Sequence, residues 1–216
     1  VYDGVVYVPV ASWEETRSSD PEYPCCTFRG SVAALRMRDG MLLWKTYMVG
    51  VTRETGKHAR GVPMMGPSGV GVWSAPTVDP KRNLVYATTG DNYSVPTTEL
   101  SDAVVALDLA SGRIVWSRQV TAGDFYNGSC RGDKLNCPGE AGPDFDFGSS
   151  AIPVTLPGGR DLILAGQNSG IVYALDPDKN GEIVWQVRVG KGSTNGGVQW
   201  GMASDGQNVY ASVSDL

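Results

Sequence analysis

Short apolar runs alternate along the chain with turns rich in glycine, proline and short polar residues. Several neighbouring runs are joined by a turn that carries Asp or Asn with Gly, as in "DAVVALDLASGRIVWSRQVT". Tight hairpin turns need backbone angles with positive φ, which these residue types tolerate. Each such pair of runs therefore predicts a β-hairpin. Because the 28 glycines and 13 prolines fall between the runs, the whole pattern predicts an all-β protein.

Three of the predicted hairpins resemble one another and end in Trp44, Trp116 and Trp185, which are 72 and 69 positions apart. A further strand pair precedes the second and third copies. Four strands per unit at this interval predict a β-propeller, with each repeated Trp packed between blades. We expect blades at approximately 1–60, 61–122 and 145–190 and an incomplete blade at 196–216. The first blade is expected to lack its innermost strand.

Three to four blades cannot close a propeller of this kind without exposing sheet edges and apolar blade faces. The chain also starts within a turn and strand ("VYDGVVYVPV") and stops just after a strand ("VYASVSDL"). We therefore expect the rest of the propeller to lie outside this chain. On that expectation, the missing signal peptide says nothing about the compartment.

Charge and composition exclude several functions. The net charge of −5 argues against a nucleic-acid partner, and no apolar run is long enough to predict a membrane span. A single histidine excludes a histidine-rich metal site, and no C-x-x-C-H motif for covalent haem is present. The charge and composition are those of an ordinary globular domain.

The repeat and three longer stretches, "YPCCTFRGSVAAL", "VWSAPTVDPKRNLVYATTGDNYS" and "CPGEAGPDFDFGSS", resemble the PQQ-dependent alcohol dehydrogenases. These are quinoprotein β-propellers, and the resemblance is closest to the branch that oxidises polyvinyl alcohol. It implies an eight-bladed enzyme that uses pyrroloquinoline quinone (PQQ) and Ca²⁺ to oxidise an alcohol, small or polymeric, with a secondary hydroxyl. It also implies a periplasmic or extracellular location and cytochrome c as electron acceptor.

The resemblance implies two groups of metal ligands. In "VASWEE" it places Glu14 on Ca²⁺, with Glu15 as the alternative, and the backbone near Ser12 against PQQ. In "TTGDNYS" it aligns Asp91 with a metal-binding Asn of the family and leaves Asn92 beside it. Ca²⁺ prefers several oxygen ligands, which these side chains offer. A solvated acidic pair and an Asp-Asn turn at a strand end remain the alternatives.

The resemblance also implies a stacking residue and a general base. Trp73 corresponds to the Trp that stacks on the quinone, although it could instead be a core residue. In "PDFDFGSS", Asp144 corresponds to the base and Asp146 to a nearby second carboxylate. In an extended strand these two acids would point to the same face. A carboxylate next to Ca²⁺ stays ionised and can accept an alcohol proton, whereas the alternative is a loop of solvated acids.

One stretch departs from the family. Where a Lys or Arg is expected near the quinone oxygens, the sequence "AGQNSG" has Gln167 and Asn168. Either amide can donate a hydrogen bond to PQQ, but neither can neutralise an anionic quinol. This departure supports a second hypothesis, a non-catalytic extracytoplasmic propeller that binds proteins or glycans.

The four cysteines form two close pairs in the sequence. Cys25 and Cys26 are adjacent, so they are either two free thiols or partners in a small ring, and the resemblance implies a ring disulfide that caps PQQ. Cys130 and Cys137 lie in "CRGDKLNC", a loop that a disulfide would tether. Two disulfides predict an oxidising compartment, either the periplasm or the outside of the cell.

Overall fold

The computed structural model describes residues 1–215, and short β-strands dominate this part of the chain. The strands are β1 (Val5–Val10), β2 (Ser31–Arg36), β3 (Leu42–Tyr47), β4 (Arg53–Lys57), β5 (Pro63–Gly66), β6 (Ser68–Gly69), β7 (Thr77–Asp79), β8 (Leu84–Thr88), β9 (Asn92–Ser94), β10 (Ala103–Asp108), β11 (Ile114–Gln119), β12 (Ile152–Thr155), β13 (Asp161–Gly166), β14 (Ile171–Asp176), β15 (Glu182–Arg188), β16 (Met202–Ser204) and β17 (Val209–Ala211). One short helix, α1, covers Glu14–Arg17, and 3-10 turns cover Gly128–Arg131 and Pro177–Lys179.

The strands form antiparallel sheets that follow one another in sequence. The first sheet has the order β1-β2-β3, the second β11-β10-β8-β7 and the third β12-β13-β14-β15. A two-stranded sheet, β16-β17, comes next. Strand β12 lies against β7 on one side and β16 on the other, so the first strands of successive sheets are neighbours. This is the radial arrangement of propeller blades and confirms the predicted fold class.

The second sheet tests the expectation for one blade. Its four antiparallel strands lie within residues 73–120, and no helix interrupts them, as predicted. The first sheet has three strands and lacks an equivalent of β7 and β12. A separate hairpin, β4–β5, straddles the predicted boundary between residues 60 and 61. The exact blade boundaries stay a prediction.

The three repeat hairpins share their irregularities. Each contains a register shift after its alanine, at Ala34/Leu35, Ala106/Leu107 and Ala174/Leu175. Each turn also contains a glycine whose φ is close to +70°, a conformation that favours glycine. The Asp and Gly positions of the repeat are therefore explained by turn geometry.

The repeated tryptophans join neighbouring sheets. The ring of Trp44 packs on Gly112, in the turn of the second repeat hairpin, and the ring of Trp116 packs on Gly181, in the turn of the third. A Cβ atom at either glycine would collide with the indole. Trp185 packs against the buried cluster of Leu162, Leu164 and Ala174 in the third sheet. The prediction that these residues pack between blades is confirmed for Trp44 and Trp116, and for Trp185 it stays a prediction.

Ion pairs join the second and third sheets at the turn between β7 and β8. The Arg82 guanidinium contacts Asp79 (3.0 Å), Asp161 (2.8 Å) and Asp178 (2.6 Å), and Lys81 Nζ contacts Asp161 (2.6 Å). The Arg82 side chain is only 12% exposed and lies among three acids, of which Asp178 is 66% exposed; we call this cluster the hub. No helix within the described residues is long and apolar enough to cross a membrane.

Candidate active site

A cavity of about 670 Å³ opens at one end of the sheets and is lined by residues from five separate loops and from β9. Its wall includes Glu15, Trp73, Tyr126, Arg131, Asp144 and Asp146. These residues come from the loop that contains α1, from the segment before β7 and from the long connection between β11 and β12. The cavity thus collects side chains that are more than 100 positions apart in the sequence.

Three carboxylates converge at the cavity. Asp91 lies between β8 and β9, and Asp144 and Asp146 lie in the connection before β12. One oxygen of each side chain lies within 4.8 Å of the others. The sequence placed Asp144 and Asp146 in an extended strand, but they lie in a loop, and Asp144 has a φ of +59°. The two side chains nevertheless face the same cavity.

Asp146 links this cluster to the indole of Trp73. The Trp73 Nε1–H donates to Asp146 Oδ2 (2.9 Å), and the backbone N–H of Asp91 donates to Asp146 Oδ1 (2.8 Å). Burial raises the pKa of Asp146 to about 6, and the two hydrogen bonds oppose that shift. The carboxylate therefore fixes the indole that forms part of the cavity wall.

Asp144 has the carboxylate that is freest to react. Burial, and then the negative charges of Asp146 and Glu15, raise the pKa of Asp144 to about 9. Its backbone N–H and that of Phe145 donate to the Asp124 carboxylate (3.2 and 3.0 Å), which holds the loop in place. None of the side-chain hydrogen bonds within residues 1–215 uses the Asp144 carboxylate. It can therefore accept a proton from a ligand once its negative charge is stabilised.

Asp91 supplies evidence that the cluster fits a cation. It is 1% exposed, and its Oδ2 has no hydrogen-bond partner among the described residues. Burial, and then the charges of Asp146 and Asp144, raise the pKa of Asp91. An unpartnered buried oxygen beside two further carboxylates is unfavourable without positive charge. A hard cation with a preference for oxygen ligands fits this set of donors.

The two adjacent glutamates of α1 point to different places. The Glu14 carboxylate accepts hydrogen bonds from Tyr23 (2.6 Å), from the N–H and hydroxyl of Thr27 (2.7 and 3.0 Å) and from the N–H of Phe28 (2.6 Å). It fixes the chain around the adjacent cysteines and does not line the cavity. Glu15 does line the cavity, and burial together with the charge of Asp146 raises its pKa to about 7. The geometry favours Glu15, the alternative to Glu14, as the metal ligand.

The three predicted amide side chains also differ in whether they reach the cavity. Asn92 is buried and bonds to Ser68 and Thr98, and Gln167 is buried and bonds to Thr121, Ser169 and Tyr173. The side chains of Asn92 and Gln167 therefore stabilise the loops through buried hydrogen bonds and do not line the cavity. Asn168 lines the cavity, and its buried Oδ1 has no partner within residues 1–215. Ser12 lines the cavity as well, and its Oγ accepts from the N–H of Glu14 (2.9 Å).

Both predicted disulfides are present, Cys25–Cys26 and Cys130–Cys137. Cys25 and Cys26 are buried and pack against Tyr93, whose side chain lines the cavity. The ring disulfide therefore lies behind an aromatic side chain and not on the cavity wall. The expected contact between this pair and a cofactor stays a prediction, and the geometry gives that contact to Tyr93.

Among the cavity residues that were not foreseen from the sequence are Tyr93, Tyr126 and Arg131. The guanidinium of Arg131 lies 5.3 Å from the centre of the Tyr126 ring. The available signal was the position of Arg131 directly after Cys130, in a loop closed by a disulfide just before the acidic stretch. A tethered loop with an arginine at its base is a candidate wall for an anion-binding cavity.

Comparisons with known proteins agree with this geometry. A PQQ family model described as "Glucose/ethanol/alcohol dehydrogenase, beta-propeller domain" matches residues 3–129. Polyvinylalcohol dehydrogenases from a Pseudomonas species and from Sphingopyxis sp. strain 113P3 are 44% and 39% identical to the chain, covering 100% of it and 34% of each relative. The chain thus spans about a third of the length of these relatives.

Among solved structures, quinohemoprotein alcohol dehydrogenase ADHIIG from Pseudomonas putida HK5 matches with a TM-score of 0.56 and 18% identity. The match covers 88% of this chain and 27% of that one. At this identity the likeness shows a shared fold, and the sheets described above supply the equivalent part of a propeller.

Proposed function

The chain belongs to the PQQ β-propeller family of glucose, ethanol and alcohol dehydrogenases, and we propose on that basis that it provides the catalytic face of a quinoprotein. The reaction is the oxidation of an alcohol with PQQ and Ca²⁺. The observation that carries this proposal is the convergence of Asp91, Asp144 and Asp146 beside the indole of Trp73. A scaffold propeller has no need for three clustered acids, two of them buried, in an open cavity.

The ligands proposed for Ca²⁺ are Asp91, Asp146 and Glu15. Asp91 offers the unpartnered Oδ2, Asp146 lies beside it, and Glu15 faces the cavity from the opposite loop. When bound, Ca²⁺ supplies the positive charge that polarises the quinone, and PQQ supplies the group that accepts two electrons. Trp73 offers the flat apolar wall against which a planar ring system can lie.

Asp144 is the proposed general base. Its carboxylate is free of hydrogen-bonding side chains, and its pKa falls when positive charge is present in the cluster. In that state Asp144 can take the hydroxyl proton of an alcohol as the C–H bond loses its hydride. The Asp124 carboxylate accepts hydrogen bonds from the backbone N–H groups of Asp144 and Phe145, and these bonds hold the proposed base in position.

The proposed substrate is a secondary alcohol, in small-molecule or polymeric form. Both curated relatives are named for polyvinyl alcohol, a polymer whose hydroxyl groups are secondary. The cavity is open to solvent, which a polymer segment requires in order to enter. We place the protein in the periplasm or outside the cell because both cysteine pairs are oxidised, and cytochrome c is the proposed electron acceptor.

The test is turnover of a secondary alcohol by the intact protein loaded with PQQ and Ca²⁺. We expect Asp144→Asn to lower kcat by at least about a hundredfold while PQQ stays bound, because an amide fills the space and cannot take the proton. Glu140→Gln, at an exposed acid of the same connection, is the matched control and should be fully active.

Two results would contradict the proposal at different points. Normal turnover by Asp144→Asn would show that another group is the base, and Asp146→Asn would then be examined next. A parent protein that binds no PQQ in equilibrium dialysis would favour the non-catalytic propeller instead.

A further inference from the structure

Arg131 is the one cationic side chain on the cavity wall of the described chain. Three acids, Glu15, Asp144 and Asp146, share that wall with it. No ion pair within residues 1–215 includes Arg131, and its guanidinium donates no hydrogen bond to another described residue. It lies against the Tyr126 ring, 5.3 Å from the ring centre, and is open to solvent. Its donors are therefore free for a ligand that enters the cavity.

The loop that carries Arg131 is anchored to the opposite side of the cavity. The Ser18 hydroxyl, just after α1, accepts from the backbone N–H of Ser129 (3.1 Å). The Asn136 amide donates to the carbonyls of Ser18 (3.0 Å), Asp20 (3.1 Å) and Tyr23 (3.1 Å). These bonds join segments more than 100 positions apart, and most of their atoms are buried. The loop is a fixed part of the wall.

Two further contacts fix the ends of the loop. The Asn127 side chain accepts from the N–H of Ser129 (3.0 Å) and donates to the carbonyls of Tyr93 (2.8 Å) and Asn136 (3.0 Å). The Cys130–Cys137 disulfide closes the loop at the residue next to Arg131. The covalent link and the Asn127 hydrogen bonds together restrict where the Arg131 Cα can be.

We infer that Arg131 binds an anionic oxygen of the cofactor and supplies the cation that the sequence lacks at Gln167 and Asn168. This inference rests on the proposed function. PQQ carries three carboxylates and gains negative charge on its ring oxygens when it is reduced. A guanidinium binds such oxygens through charge-assisted hydrogen bonds, which are about twice as strong as neutral ones. Gln167 is committed to buried partners and cannot take this role.

The Cys130–Cys137 disulfide restricts the conformations of the loop that carries Arg131. An arginine on a free loop would lose side-chain and backbone freedom when it binds a ligand, and this loss would weaken binding. The disulfide and the anchoring of Asn136 remove part of that freedom before the ligand arrives. Arg131 is thus a positioned binding residue, delivered by a connection outside the repeated hairpins.

The experiment measures the Kd of PQQ for the intact protein in the presence of Ca²⁺, by equilibrium dialysis, without any substrate. We expect Arg131→Gln to raise Kd by tenfold or more and Arg131→Lys to recover part of the loss. Arg113→Gln, at an exposed arginine in the turn of the second repeat hairpin, is the matched control and should leave Kd unchanged. Thermal unfolding of each variant confirms that the fold is intact.

A second variant tests the tether. Replacing both Cys130 and Cys137 by Ser should raise Kd by several-fold, and less than Arg131→Gln does, because the cation is retained and only its placement is loosened. If the double variant has no effect on Kd, the disulfide is not part of the binding device.

The remaining outcomes separate this inference from the proposed function. If the parent protein binds PQQ and Arg131→Gln binds it equally well, the inference is overturned and the proposed function stands. If Arg131→Gln changes only the KM for the alcohol, Arg131 contacts the substrate and the inference is again overturned. If the parent protein binds no PQQ, the proposed function fails and the inference fails with it.

Discussion

Two clusters of aspartates lie on the second and third sheets and their loops. One cluster is paired with a cation, and the other is not. In the hub, Arg82 pairs with three acids, Asp79, Asp161 and Asp178. In the cavity, Asp91, Asp144 and Asp146 lie as close together, with no cation paired to them among the described residues. The same residue type is neutralised in one place and left uncompensated in the other.

The pKa shifts record this difference. Hydrogen bonds from Lys81 and Arg82 hold the pKa of Asp161 and Asp178 below the ordinary value. Burial raises the pKa of Asp91, Asp144 and Asp146, and repulsion within the cluster raises the pKa of Asp91 and Asp144 further. A fold that can build a guanidinium into one cluster could have done so in the other. The cavity cluster therefore has the features of a binding site, and the hub has those of a structural joint.

Removing the hub cation should give the largest effect. Arg82→Met leaves Asp79 and Asp178 without their cationic partner and takes one of two partners from Asp161, so we expect the free energy of unfolding to fall by about 3 kcal/mol. Lys81→Met is the matched control because Lys81 is 67% exposed, and its loss should cost less than about 1 kcal/mol. Urea denaturation of the intact protein measures both. Equal costs for the two variants would mean that the hub does not join the sheets.

Adding the missing cation to the cavity should give the next largest effect. With free Ca²⁺ at a hundred times its Kd, the folded state should gain about 2.7 kcal/mol. Asp91→Asn should lose most of this gain, because it removes the charge at the unpartnered oxygen. Asp178→Asn, in the hub, should keep it. Calcium-dependent thermal unfolding of the three proteins makes the comparison, and a gain retained by Asp91→Asn would place the ion elsewhere.

The third effect concerns pH, and it is the smallest when taken per pH unit. In the folded protein the pKa of Asp144 is raised to about 9, so between pH 6 and 8 the folded state holds a proton that the unfolded state has released. The free energy of unfolding should therefore fall as pH rises, by about 1.4 kcal/mol per pH unit for this one proton. The depressed pKa values of the hub act only below about pH 4, where protonation removes their contribution.

Urea denaturation at pH 6, 7 and 8 in the presence of a chelator measures this slope. Saturating Ca²⁺ should flatten it, since positive charge lowers the pKa of Asp144. A slope that is the same with and without Ca²⁺ would show that the ion does not bind near this carboxylate.

The fold was predictable from the sequence because its signals are local. The hairpin of "DAVVALDLASGRIVW" needs only its own alternation and its Asp and Gly turn, and the Trp116–Gly181 contact repeats the Trp44–Gly112 contact one sheet later. The meeting of Asp91 with Asp144 followed from the family resemblance. Neither prediction required knowledge of how the irregular loops pack.

The details of the site were less predictable because loop geometry decides them. Whether Glu14 or Glu15 faces the cavity depends on the orientation of a single helical turn, which the string "WEE" does not determine. Arg131 was missed because its place is set by hydrogen bonds that Ser129 and Asn136 donate to Ser18, more than 100 positions away. Long-range contacts of this kind leave no periodic pattern in the sequence.

The anchoring of the Arg131 loop on the segment after α1 has a consequence for the order of folding. Each sheet is built mainly from neighbouring hairpins, which need only short loops to close. The bonds from Ser129 and Asn136 to Ser18 join the connection after the second sheet to the loop of the first, so they can form only when both sheets are in place. Folding intermediates of this chain should therefore contain sheets before they contain a cavity, and cofactor loading should be a late event that follows assembly of the cavity wall.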